Sequence, residues 1–177
     1  MVNLIKSSRT LTSPQAIPVK YLSFELSAEH YAISVMQIRK IIEFVPPTPV
    51  PLMPGFVRGV LQVLNALVPI LDLAVYFGHP PIVVSKQTCI VILEIRDAQH
   101  HLDVGIIVDA VNNVVEVAAD TIMDAPHFGD IRSDFILGLF KLNEQGILLL
   151  DINQLFSRED LKKIRTAHQQ LSPLLAH

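Results

Sequence analysis

Self-similarity within the chain constrains its fold more than any single motif. Residues 59–77 lie over residues 138–156 without a gap, setting Gly59 over Gly138, Asp72 over Asp151 and Phe77 over Phe156. An earlier block, Val35-Met-Gln-Ile-Arg-Lys-Ile-Ile-Glu43, lies over Val108-Asp-Ala-Val-Asn-Asn-Val-Val-Glu116, matching apolar positions 35, 38, 41 and 42 to 108, 111, 114 and 115. The offset is 73 in the earlier block and 79 in the later one, so the second copy has six extra residues between its blocks. A chain of 177 residues repeated in this way builds two like units.

Each unit reads as short strands. Tyr21-Leu-Ser-Phe-Glu-Leu26 alternates as a strand with one face buried does, a turn follows near Ser27 to Glu29, and Tyr31-Ala-Ile-Ser-Val35 continues. Their counterparts are residues 89–95, a polar turn at 96–99, and residues 102–108. One helical turn, around Met36 to Lys40 and again around Asp109 to Asn113, leads into a third strand. The 59–77 block and its copy supply a hairpin each, broken at Asn65-Ala66 and at Asn143-Glu144-Gln145-Gly146. The sum is about ten strands, an all-β chain with short helices. Between strands three and four, five prolines fall in residues 46–54. Proline donates nothing to a ladder, so this segment is an extended connector or an edge. Pro80-Pro81 and residues 85–87 link the copies, and the shortness of that link favours two barrels packed together. Ser157, followed by Glu159 and Asp160 and then by Lys and Arg, starts a helix to about Gln170. The organisation expected is a flexible segment over 1–19, a domain over 20–156 with halves at about 20–79 and 88–156, and a helix and tail over 157–177.

Composition enters at three points. Half of the residues are apolar and mean hydropathy is +0.43, which excludes a disordered chain and raises a membrane reading. Residues 59–78 hold no Lys, Arg or Glu, but they include Asp72, whose burial in hydrocarbon costs at least about 2.5 kcal/mol, and their repeat carries Lys141, Glu144 and Asp151. The block is therefore read as strands. A net charge of -3 offers no basic field for a phosphate backbone, so nucleic acid is not expected as a partner. Nothing in residues 1–20 reads as a signal peptide, and a cytoplasmic setting is expected.

The chemistry-bearing residues do not assemble a site. Cys89 stands alone in a buried strand, and the seven histidines have no ligand spacing; His100-His101 reads as a solvated hairpin turn. Asp72 and Asp151 occupy equivalent positions, and the economical shared role is to accept backbone N–H bonds where strand becomes helix. No phosphate loop, nucleophile elbow or metalloprotease pattern occurs, and neither an enzyme nor a cofactor is expected. The apolar excess points instead to binding other proteins.

The motifs Tyr31-Ala-Ile-Ser-Val35, Pro47-Thr-Pro-Val-Pro51, Phe56-Val-Arg-Gly-Val60, Val68-Pro-Ile-Leu-Asp-Leu73, Val104-Gly-Ile-Ile-Val-Asp-Ala-Val111 and Leu148-Leu-Leu-Asp-Ile152, in this order, resemble the CheW-like domain family of chemotaxis coupling proteins. The resemblance runs from about Lys20 to Phe156. It implies two five-stranded SH3-like β-barrels and a non-enzymatic adaptor that binds the regulatory domain of a CheA-type histidine kinase and the cytoplasmic tip of methyl-accepting receptors. Carried over by position, the receptor-facing residues are Val35, Ile38, Gly59, Leu64 and Asn65, and the kinase-facing ones Phe44, Val45, Thr48 and Val50. For Val35 and Ile38, ordinary core is an equal alternative, because Val108 and Val111 repeat the pattern. One departure stands out: the hairpin reads Gln62-Val-Leu-Asn65 where the family has Asn-Leu-Arg-Gly, so Leu64 replaces an Arg, and charge and fork geometry are lost. Three readings follow: a chemotaxis scaffold, a divergent adaptor for another kinase or motility pathway, and an unrelated ligand-binding double barrel.

Overall fold

A computed structural model describes residues 18–97, 100–125 and 134–171. Among these residues ten strands form: β1 Val19–Leu26, β2 Glu29–Ser34, β3 Ile38–Glu43, β4 Val57–Val63, β5 Ala66–Asp72, β6 Cys89–Arg96, β7 His101–Val108, β8 Ala110–Val117, β9 Ile136–Leu142 and β10 Gln145–Leu150. Among the described residues three α-helices accompany them: α1 Leu73–Tyr76, α2 Ile152–Leu155 and α3 Arg158–Leu171. The expected flexible segment lies outside the described residues except at its end, where Val19 already opens β1; the end of the expected tail, residues 172–177, also lies outside them.

Two five-stranded sheets result, sheet I in the order β8-β1-β2-β10-β9 and sheet II in the order β3-β6-β7-β5-β4. The repeat turns one order into the other, with β1 to β5 standing for β6 to β10. Neither sheet, however, belongs to one copy. Sheet I takes β1 and β2 from the first copy and β8, β9 and β10 from the second; sheet II takes the complement. The division expected at residues 79 to 88 is therefore not the division between sheets. Equivalent parallel pairings make the exchange, Leu149↔Ala32 in sheet I and Ile70↔Gly105 in sheet II. Aromatic pairs repeat it: Phe56 stacks on Phe156 and Phe77 on Phe135, each ring on one from the other copy.

Among the described residues no strand pairing closes either sheet into a barrel. Instead, the chain beyond β3 makes one isolated bridge to β4, Thr48↔Val60, and the chain beyond β8 makes its equivalent to β9, Met123↔Leu139. Both bridges need a glycine. A Cβ on Gly59, whose φ is +146°, would lie 2.1 Å from the Thr48 carbonyl oxygen, and one on Gly138 would lie 2.4 Å from Ile122 Cγ2. Thr48 stands between Pro47 and Pro49, so it carries the N–H the bridge requires; its N–H donates to Val60 O and its carbonyl oxygen accepts from the Val60 N–H, each at 2.9 Å.

The exchange explains the apolar content. Each sheet has its own inner core, Tyr21, Ala32, Val117, Phe140, Ile147 and Leu149 in sheet I, and Val63, Val68, Ile70, Ile90, Ile92 and Ile107 in sheet II. A third and larger core lies between the sheets and receives Phe24, Ile33, Leu93, Ile106 and, from α3, Leu161 and Ile164. Strands β6 and β7 are thus apolar on both faces, as strands buried on both sides are. The apolar 59–78 block is β4, β5 and α1, and among the described residues no helix is long and apolar enough to cross a membrane.

Local chemistry shifts several boundaries. Three hairpins close on two residues of positive φ, Ser27–Ala28, Leu64–Asn65 and Asn143–Glu144, so Ala66, Gln145 and Gly146 are strand rather than turn. The helical turn of the first copy is a single 3-10 turn, Val35–Gln37, capped by Ser34 Oγ on the Met36 N–H. In the second copy Ile107 replaces that serine, while Asp109 accepts from the Ser27 N–H at 2.7 Å and donates its own N–H to Glu25 O; the chain passes directly into β8 without a helical turn. Cys89 begins β6 half-buried instead of fully buried in it.

Candidate functional site

The residues carried over to the receptor-facing site occupy three structural settings. Val35 and Ile38 sit half-buried at the margin of the core between the sheets, flanking Met36, which is 86% exposed. Gly59 is buried beneath the Thr48 bridge. Leu64 and Asn65 form the exposed tip of the β4–β5 hairpin with φ of 54° and 61°. Asparagine tolerates this conformation; leucine does so only at a cost. On the kinase-facing side, Val45 and Thr48 are exposed on the strap that follows β3, Val50 is half-buried, and Phe44 packs against the inner core of sheet II.

A cluster absent from the carried-over set stands at the hairpin end of sheet II. Strand alternation puts Glu94 and Arg96 on the face that carries Ile90 and Ile92, and the register sets Asp103 opposite Glu94 and His101 opposite Arg96. The inner face is therefore apolar in its middle and charged at its end. Arg39 joins from β3, where a bulge between Ile38 and Lys40 leaves it without a partner in the register. Its guanidinium lies 3.3 Å from Glu94 and 3.8 Å from Asp103. His101 Nδ1 lies 2.6 Å and Arg96 Nε 2.8 Å from the other Glu94 oxygen. The hydrogen bond from His101, then that from Arg96, holds the Glu94 carboxyl down at about 2. His101 is thus the first residue of β7 and a partner of Glu94, not a member of a solvated turn. The spacing of Glu94 with Arg96 and His101 with Asp103, two apart on facing strands, is the signal in the sequence that could have found it.

Arg39, Ala66, Leu67, Glu94 and Asp103 line a depression of about 370 Å³ whose far wall is α3, at Arg165, His168 and Gln169. Hairpin and strand residues therefore meet a helix there. Helix α3 is fixed: Ser157 Oγ caps the Asp160 N–H, Tyr76 donates to Asp160 at 3.0 Å, Arg165 pairs with Asp97, and Ile164 and Ala167 are fully buried.

Asp72 and Asp151 cap helices. Each sits at an N-cap and donates its N–H to an equivalent carbonyl, Phe56 O or Phe135 O, at 2.7 Å. Asp72 is fully buried and accepts from Val75 N, Ile82 N and Arg58, whereas half-buried Asp151 accepts from Asn153 N. Among the described residues no three His, Cys, Asp or Glu side chains gather as a metal site requires.

The family model described as the CheW-like domain matches residues 20–160. The chemotaxis protein CheW of Klebsiella aerogenes is 29% identical over 148 residues, covering 83% of this chain and 87% of that protein. CheW of Bacillus subtilis is also 29% identical, over 141 residues, 79% of this chain and 88% of that one. Among solved structures, the scaffolding protein TtCheW from Thermoanaerobacter tengcongensis superposes with a TM-score of 0.71 at 27% identity, covering 81% of this chain and 96% of that one.

Proposed function

We infer, from the premise that the chain belongs to the CheW-like domain family, that it is a non-enzymatic adaptor of a bacterial chemosensory array. It couples a CheA-type histidine kinase to methyl-accepting receptors, working in the cytoplasm beneath the inner membrane. The observation that carries this is the match over residues 20–160 together with the paired five-stranded sheets. The exposed apolar side chains suit such work: Met36 beside Val35 and Ile38, Leu64 at the hairpin tip, and Val45 on the strap. We assign receptor contact to the Val35–Ile38 margin and the Leu64–Asn65 tip, and kinase contact to the strap at Val45, Thr48 and Val50 with Phe44 behind it. Gly59 acts through the strap it admits, as a positioning residue.

One observation favours a divergent pathway as a second reading. Leu64 is 46% exposed in a strained conformation at the position where the family carries an Arg, so the receptor it meets differs from the usual one at that contact. Pulldown against a CheA-type regulatory domain and against a receptor tip tests both. Binding to both supports the coupling role; binding to the kinase alone supports the second reading; binding to neither overturns the two together.

A further inference from the structure

We propose that Met36 is a redox-sensitive contact of the receptor-facing margin: a hydroperoxide oxidises its thioether first, and the sulfoxide weakens receptor binding while the fold stands. The inference rests on the coupling role above and names a regulation of that same surface. Met36 is the middle residue of the 3-10 turn Val35–Gln37, which contains no buried residue and is held by its own cap, Ser34 Oγ accepting from the Met36 N–H at 3.2 Å. The turn lies against β1 and β6, where the two sheets meet, and Val35 and Ile38 on either side pack onto the core between them. The Met36 side chain turns outward and is 86% exposed.

The other sulfurs are placed differently. Met53 is half-buried and packs against the large core, so a sulfoxide there disturbs packing. Met123 is 45% exposed, and its N–H and carbonyl form the bridge to Leu139. Cys89 is half-buried and its Sγ donates to Gln87 O at 3.3 Å. Among the described sulfur-bearing residues, Met36 combines the greatest exposure with no part in a core or a ladder. The chemistry is self-contained. The thioether sulfur gives an electron pair to one peroxide oxygen, the S–O bond forms as the O–O bond breaks, and the proton on the transferred oxygen passes to the departing hydroxide, which leaves as water. A flexible apolar side chain becomes a polar one, and methionine sulfoxide reductases restore it. In the free chain the sulfoxide is solvated at no cost to the fold. Between Val35 and Ile38, an apolar partner surface that covers it must strip that water away without replacing the hydrogen bonds.

The test treats the full chain with graded hydrogen peroxide, maps the sulfoxides by peptide mass spectrometry, and titrates each sample with the cytoplasmic tip of a methyl-accepting receptor and, separately, with a CheA-type regulatory domain. Met36 should be oxidised ahead of Met123 and Met53. Receptor binding should then weaken about tenfold, the scale of one polar group set against an apolar contact, and recover with methionine sulfoxide reductase. Kinase-domain binding should stay within error, and circular dichroism should show the fold retained. Met36→Leu should bind the receptor tip as wild type does and keep its affinity through the same treatment, while Met36→Gln should bind as weakly as the oxidised chain without any treatment. Oxidation of Met53 or Met123 ahead of Met36, receptor binding unchanged by the Met36 sulfoxide, or a loss that persists in Met36→Leu would overturn the switch and leave the coupling role standing. An untreated wild-type chain that binds kinase but no receptor tip would overturn the coupling role itself, and the switch with it.

Discussion

Sheets I and II have one strand order and one pattern of edges, yet they are not finished alike. Sheet II ends in a network of Arg39, Glu94, Arg96, His101 and Asp103. At the same end of sheet I, Glu25 faces His30 across the β1–β2 pair, and Asn112 stands where the repeat would place an arginine. The strap of sheet II is a run of prolines with Thr48 bridging; that of sheet I bridges through Met123, which is 45% exposed. Even the capping aspartates differ, three donors on Asp72 against one on Asp151. The shared features hold the fold, and the divergent ones gather on the sheet with the exposed hairpin and strap.

The glycines give the sharpest test of that equivalence. Gly59→Ala should cost the most of any single change considered, about 3 kcal/mol or more, because a methyl cannot fit against the Thr48 carbonyl and the φ of +146° is closed to L-residues. Gly138→Ala should cost less, because its nearest obstacle is a side-chain methyl, although the Met123 carbonyl oxygen at 2.7 Å keeps the cost real. Urea unfolding of both variants measures the difference, and equal losses would show that the two bridges are energetically the same.

The caps come next. Asp72→Ala leaves buried donors unpaired and should cost about 2 to 3 kcal/mol, whereas Asp151→Ala should cost about 1 kcal/mol, the ordinary worth of a cap. Thermal unfolding that ranks them in the reverse order would break the comparison.

Acid stability probes the charged end. The Glu94 carboxyl ionises at about 2 in the folded chain against 4.5 unperturbed. A depressed carboxylate contributes stability that is complete above its unfolded value and is lost as pH falls through the folded one. Wild type should therefore lose stability between about pH 4.5 and 2 more steeply than Glu94→Gln, and parallel pH profiles for the two would refute the network's contribution.

The smallest effect concerns the hairpin tips. Leu64→Asn should relieve the positive φ and stabilise by up to about 1 kcal/mol, while Asn143→Leu, its mirror in sheet I, should destabilise by a similar amount. A Leu64→Asn chain that gains stability while losing receptor affinity would show that the strain is kept for binding.

Much of the fold was legible in the sequence, because the repeat is recorded in side chains that alternate along each strand. The ten strands, the Asp72 and Asp151 caps and the Ser157 start of α3 follow from local spacing. The exchange of strands between copies was not legible: it is decided by the parallel pairings Leu149↔Ala32 and Ile70↔Gly105, which local periodicity does not encode. The site divided in the same way. Leu64 and Asn65 stood out as a departure in a turn, whereas Arg39 and Glu94 are 55 residues apart and meet only once a bulge turns Arg39 inward.

The exchange also sets the order of events during synthesis. When β1 and β2 leave the ribosome, the strands that flank them in sheet I, β8 and β10, have yet to be made. Sheet II can pair β4 with β5 early but waits for β6 and β7. No stable half exists for the nascent chain to rest in, and contacts this distant in sequence form slowly. Until β10 emerges, the outer edge of the β1–β2 hairpin is an open template for other chains. A protein whose sheets are completed only by its later strands is, while it is being made, open to pairing with other chains.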